Sequence, residues 1–60
     1  MIRLTKLNGL EFVLNCDLIE TVEETPDTVI SLLNGRKYVV KESIDEILEK
    51  MIQYKRKIYL

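Results

Sequence analysis

Histidine is absent from this sequence, which has one cysteine and two glycines. Cys16 has no partner for an intrachain disulfide, and one thiol without histidine leaves too few ligands for a zinc site. Nucleophilic catalysis would need a base, and histidine, the usual base, is missing. Gly9 and Gly35 stand in turn signals, so no glycine-rich loop can hold a phosphate. We therefore expect no enzyme, metal or cofactor, and we expect Cys16 to be a half-buried or surface thiol.

Long apolar runs and a strong net charge are also missing. No segment approaches the roughly 18 apolar residues of a membrane span, and no signal peptide is expected after Met1. A net charge of −1 provides no general attraction to nucleic acid or acidic membranes, so the expected compartment is the cytoplasm. A domain of 60 residues buries only about 60% of its unfolded surface and often needs a disulfide, a metal or another subunit. We expect one domain, residues 1–60, that forms a homo-oligomer.

Two β-hairpins are predicted around Asn-Gly dipeptides at 8–9 and 34–35. Asn-Gly suits a two-residue type I′ turn, which would set Lys6 opposite Glu11 in the first hairpin. In the second, it would set Val29 opposite Val40 and Ile30 opposite Val39. Both faces of the sheet would then be apolar, and each would need cover. The helix could cover one face, while the other would curl into a small barrel or meet a second subunit.

The two hairpin sequences also resemble each other at an offset of 26 residues, the separation of Gly9 and Gly35. Leu-Asn-Gly-x-x-Phe-Val-Leu in the first matches Leu-Asn-Gly-x-x-Tyr-Val-Val in the second. The match continues from Leu18 and Glu20 to Ile44 and Glu46. Internal duplication explains the likeness, and so do shared turn rules acting on two independent hairpins.

A third strand is predicted at residues 18–24, with an acidic exposed side. It ends at Thr25-Pro26-Asp27-Thr28, where proline and aspartate favour a turn. Because neighbours on a strand point to opposite faces, Glu23 and Glu24 are poorly placed to share a proton as a catalytic pair. The acidic residues would either protect a sheet edge from aggregation or form a docking surface for a basic partner.

The C-terminal helix is predicted from about residue 44 to residue 57. Ser43 and Glu46 match a capping box, and apolar residues follow at helical spacing. Acidic residues come early in the helix, and Lys55, Arg56 and Lys57 come late, as the helix dipole prefers. The predicted fold is α+β: a small curled antiparallel sheet of about five strands, or an open barrel, with one C-terminal helix.

Two features near the C-terminus suggest binding surfaces. The basic helix end, with Arg3, Lys6, Arg36 and Lys37, could contact nucleic acid, although the helix dipole also accounts for the late charges. Apolar residues close the chain after this basic turn: Ile58, Tyr59 and Leu60. They could pack back over the sheet, but a self-association contact is the favoured interpretation.

Three segments carry a family resemblance. They are Met1-Ile2-x-Leu4-Thr5-x-Leu7-Asn8-Gly9-x-Glu11-Phe12, Ile19-Glu20-x-Val22-Glu23-Glu24-Thr25-Pro26-Asp27-Thr28-Val29-Ile30, and Asn34-Gly35-x-Lys37-Tyr38-Val39-Val40-Lys41-Glu42-Ser43. Together they resemble the FlbD/SwrD family of small bacterial flagellar and swarming-motility proteins, from residue 1 to about residue 57. Lys6 stands where the family usually has arginine, which keeps the charge.

The resemblance implies a non-enzymatic cytoplasmic accessory that supports flagellar motor output and swarming through protein–protein interaction, with a peripheral place at the flagellar base. It does not identify the flagellar motor or assembly component that would be its partner. Glu24, Pro26 and Asp27 are the candidate partner surface. The alternative function is a small nucleic-acid-binding regulator of gene expression, which uses the basic residues named above.

Overall fold

The computed structural model describes the backbone of residues 1–59 and the side chains of residues 1–57. Its elements are β1 (Ile2–Thr5), β2 (Glu11–Leu14), a 3₁₀ turn (Cys16–Leu18), β3 (Ile19–Glu24), β4 (Thr28–Leu32), β5 (Lys37–Val40) and α1 (Ile44–Tyr59). One antiparallel sheet contains β1 and β2, and the other has the order β3-β4-β5. The α+β prediction of five strands and a C-terminal helix is confirmed, and these sheets do not close into a barrel within the described residues.

The two sheets meet where β1 ends and β5 ends. Lys6 forms an isolated antiparallel bridge with Val40. The backbone N–H of Lys41 donates to the carbonyl of Thr5 at 2.8 Å. Among the described residues these contacts join the hairpins edge to edge at one point, and the sheets separate beyond it.

The predicted two-residue turns are wrong, because each hairpin has a three-residue loop. Within the two loops only the glycines have positive φ, +91° at Gly9 and +89° at Gly35, whereas a type I′ turn also needs positive φ at the asparagine. In the first hairpin the N–H of Gly9 donates to the Lys6 carbonyl, and the N–H of Lys6 donates to the Leu10 carbonyl. Glycine in the left-handed region after a tight turn is typical of the three-residue hairpin loop.

This longer loop shifts the predicted register of both hairpins by one residue. Ile30 lies opposite Tyr38 instead of Val39, and Val29 lies opposite Val39 instead of Val40. In the first hairpin Glu11 lies opposite Thr5, so the predicted Lys6–Glu11 pair does not form. The corrected register gathers most apolar residues on one face, which removes the argument that both faces need cover.

The core lies between that face and the helix. Its buried residues come from both hairpins, the 3₁₀ turn and α1: Ile2, Leu4, Leu14, Cys16, Ile30, Leu32, Val40 and Ile47. Cys16 is only 3% exposed, so the expected half-buried or surface thiol is wrong. Its place in the core follows from the 3₁₀ turn, an element that the sequence did not predict.

Candidate partner-binding surface

The predicted partner surface Glu24, Pro26 and Asp27 lies at the end of β3 and in the turn to β4, and all three residues are exposed. Glu24 also has a structural contact, because its Oε1 accepts a hydrogen bond from the backbone N–H of Ile44 at 2.8 Å. The turn is therefore attached to the first residue of α1. Asp27 is the other acidic residue of this surface, and it does not take part in the contact with Ile44.

The helix start itself is capped as the sequence predicts. Ser43 Oγ accepts from the Glu46 N–H at 3.2 Å, and Glu46 Oε1 accepts from the Ser43 N–H at 3.3 Å. With Glu24 on Ile44, two carboxylates and one hydroxyl bind N–H groups that lack helical partners. Negative charge at a helix start is favourable, so this end of the molecule is acidic for structural reasons.

Glu42 is a buried carboxylate that the sequence interpretation did not single out. Its Oε1 accepts a hydrogen bond from the Thr5 backbone N–H at 2.9 Å, and its side chain is 9% exposed. Burial raises the pKa of Glu42, but hydrogen bonds from Thr5 and the charge of Lys50 outweigh that effect and lower it. Glu42 thus attaches β1 to the segment that enters α1, and the only signal in the sequence was its place beside the capping serine.

Two aromatic rings pack where the hairpins meet. The rings of Phe12 and Tyr38 have centroids 5.2 Å apart, and Lys6 Nζ lies 5.5 Å from the Phe12 centroid. Phe12 and Tyr38 occupy equivalent positions in the two hairpins. A cation over an aromatic face is favourable, so Lys6 has a packing contact within the protein.

The basic residues that were suggested for nucleic-acid binding lie in different parts of the structure. Arg3 lines a groove together with Lys57 of the helix end. Lys6 is half-buried against Phe12, and exposed Arg36 and Lys37 belong to the second hairpin. This geometry does not support the nucleic-acid alternative.

The predicted self-association residues can be assessed only in part. The backbone of Ile58 and Tyr59 continues α1, but their side chains and the whole of Leu60 lie outside the described residues. Within the described part of the helix, Leu48 and Ile52 are each 49% exposed and are one turn apart. They form an apolar stripe on the outer flank of α1.

The model of the FlbD family, the flagellar and swarming motility proteins, matches residues 1–59. The chain belongs to this family. The match spans both hairpins, the acidic turn and the helix, so it confirms the resemblance carried by the three sequence segments. No curated protein and no solved structure matches the chain. This membership connects the domain with flagellar and swarming motility.

No helix among the described residues is long and apolar enough to cross a membrane. In the same part of the chain, no three side chains of histidine, cysteine, aspartate or glutamate gather as a metal site would require.

Proposed function

We propose that this protein is a non-enzymatic cytoplasmic accessory of the bacterial flagellar system. It supports motor output and swarming by binding a protein component at the flagellar base. The observation that carries the proposal is the family match over residues 1–59, since the family is one of flagellar and swarming motility proteins. A small domain with exposed apolar and charged side chains on several elements is suited to act through protein contacts.

The first partner surface is the β3–β4 turn. Pro26 and Asp27 are exposed there, while Glu24 is bound to the helix start. The partner protein would then recognise the Asp27 carboxylate next to Pro26 in this turn. Charge reversal at Asp27 tests this role without removing the Glu24 contact.

The experiment uses a swarming bacterium that carries the gene. Deletion should reduce swarm expansion, and the unaltered gene should restore it. Asp27→Lys should fail to restore it at normal protein abundance, whereas Asp17→Lys, at an exposed aspartate of the 3₁₀ turn, should succeed. Normal swarming after deletion would refute the motility role, and full rescue by Asp27→Lys would refute this surface.

The protein also forms a homo-oligomer in this proposal, through the C-terminal helix. Leu48 and Ile52 supply an exposed apolar stripe, and α1 is acidic in its first turn and basic in its last. Antiparallel pairing of two such helices would place each acidic start against a basic end. The terminal residues Ile58, Tyr59 and Leu60 extend the proposed contact.

Light scattering on a sizing column measures this association. The full-length protein should have a mass above 7.1 kDa, and both Ile52→Glu and a chain ending at Lys57 should lower it. Gln53→Glu, on the other flank of the same helix, is the matched control and should leave the mass unchanged. A full-length monomer would contradict the oligomer but would leave the motility role standing.

A further inference from the structure

A groove lies between the start of β1 and the second half of α1. Arg3 and the two residues before it form its strand side, and Lys50, Gln53, Tyr54 and Lys57 form its helix side. It encloses about 190 Å³, enough for a few side chains but not for a large ligand. Three of its lining residues are cationic and none is acidic. The groove is therefore positive although the chain has a net charge of −1.

The edge of β1 is open beside this groove. Thr5 directs its N–H to Glu42 and its carbonyl to Lys41, away from β2. Because backbone groups alternate along a strand, Arg3 directs its N–H and carbonyl to the same side. In the described part of the chain, no strand pairs with Arg3 on that side. The edge thus offers backbone hydrogen bonds next to cationic side chains.

In the second hairpin, the edge of β4 that is equivalent to this edge of β1 is occupied by a strand. The counterpart of Arg3, at the offset that relates the two hairpins, is Val29 of β4. Val29 pairs on its outer side with Glu23 of β3, an extended segment with glutamate at three of its six positions. The corresponding edge of the first hairpin faces α1 instead of a strand, and among the described residues no strand pairs with it.

We propose that this groove binds an extended acidic segment of a partner protein, which adds as a strand at Arg3 and places its carboxylates near Lys50 and Lys57. Strand addition at an open edge is a recurrent mode of peptide recognition. The two lysines are about 10 Å apart along the helix, and their long side chains can reach carboxylates about 7 Å apart on one face of a strand. The inference rests on the proposed function and specifies the chemistry of its partner.

Nucleic acid suits this groove less well. Single strands are held by aromatic rings on which bases stack, and the groove's one aromatic residue, Tyr54, is half-buried against the core. The exposed glutamates of β3 and the net negative charge would also oppose a long polyanion. A short acidic peptide meets the cations of the groove without extending over these acidic residues.

The test titrates isotope-labelled full-length protein with a short blocked peptide in which glutamate alternates with threonine. Backbone amide shifts should change at Arg3, Lys50, Gln53 and Lys57, and the same peptide with glutamine in place of glutamate should cause no change. Binding should weaken about tenfold in the double variant Arg3→Gln and Lys57→Gln, both exposed positions.

The matched control removes the same charge elsewhere, by Arg36→Gln and Lys37→Gln in the second hairpin, and should bind as the unaltered protein does. Urea unfolding of both double variants checks that each is folded. Absence of shifts at millimolar peptide, or equal weakening in both double variants, would overturn the proposal. Tighter binding of a single-stranded oligonucleotide in the groove would overturn it too.

Three further outcomes separate this inference from the proposals on which it builds. If the groove variant lowers the mass of an oligomer, a second copy of the chain is the occupant and the partner segment is wrong. If the peptide binds in the groove but deletion of the gene leaves swarming unchanged, the groove stands and the motility role fails. If deletion abolishes swarming but the groove variant restores it fully and binds no peptide, the proposed role of the groove in motility is wrong and the motility role of the protein stands.

Discussion

The buried carboxylate of Glu42 leads to a prediction that combines mutation with pH. This carboxylate accepts a hydrogen bond from the Thr5 N–H at 2.9 Å, and the residue is 9% exposed, so a neutral or missing acceptor weakens a partly buried contact. A hydrogen bond to a charged group contributes about 1.5–3 kcal/mol, against about 1 kcal/mol for a neutral one. At pH 7, Glu42→Gln should therefore lower the free energy of unfolding by about 1 kcal/mol, and Glu42→Ala by about 2 kcal/mol.

The pH dependence follows from the lowered pKa of Glu42. A carboxyl whose folded pKa is lower than its unfolded value stabilises the protein above the unfolded value, here near 4.5. That stabilisation is lost as the pH falls through the folded pKa. The difference between the unaltered protein and Glu42→Gln should thus vanish in acid, since both then offer a neutral carbonyl acceptor. Glu42→Ala should stay less stable there, because it leaves the Thr5 N–H without an acceptor.

Urea unfolding at one fixed protein concentration, from pH 7 down to pH 3, measures these differences. A loss of 1 kcal/mol should also lower the melting temperature by about 4–8 °C in a domain of this size. Glu20→Gln, at an exposed carboxylate of β3, is the control and should change stability by a few tenths of a kcal/mol at most. A Glu42→Gln deficit that stays constant across this pH range would refute the reasoning.

Three further predictions concern the helix cap, a turn and the aromatic contact. Glu24→Gln should lower unfolding stability by about 0.5–1 kcal/mol in urea at pH 7, because it weakens the acceptor at the helix start, while Asp27→Asn should not. Gly35→Ala should lower stability by about 1 kcal/mol through its φ of +89° alone, since nothing lies within 4 Å of the added Cβ; a neutral result would contradict this. In a double-mutant cycle, Phe12→Leu and Tyr38→Leu should couple by about 0.5–1.5 kcal/mol, and strict additivity would argue against the ring contact.

The features that sequence reasoning predicted correctly depend on residues close together in the chain. Ser43 and Glu46 are three positions apart, and their capping box forms as the spacing indicates. The strands and the helix were placed within a few residues of their observed limits for the same reason. Hydrophobic periodicity and helix caps are local signals, and tertiary packing did not override them in this fold.

The turn geometry was not predictable from the Asn-Gly dipeptide alone. In both loops the asparagine side chain accepts a backbone N–H two residues later, Leu10 after Asn8 and Arg36 after Asn34, at 3.0 Å. This bond, with glycine at positive φ, suits a three-residue loop as well as Asn-Gly suits a two-residue one. The one-residue shift changes which side chains share a face, so the inference of two apolar faces came from the incorrect register.

The contacts that shape the candidate site join distant parts of the chain. Glu42 binds Thr5 across 37 positions, and Glu24 binds Ile44 across 20. No local pattern marks a glutamate for such a contact, because exposed and buried glutamates look the same in one sequence. Glu24, Pro26 and Asp27 remain a predicted surface, and no sequence signal indicated that Glu24 also accepts the Ile44 N–H.

The structure also bears on whether the two hairpins share an origin. Each hairpin is followed by a segment that lies against the first strand of the other: β3 pairs with β4, and α1 packs against β1. Phe12 and Tyr38, which are counterparts, contact each other. Shared turn rules explain the two loops but not this reciprocal placement. Internal duplication would account for both, and under that hypothesis the open edge at Arg3 arises where the second unit continues as a helix instead of a strand.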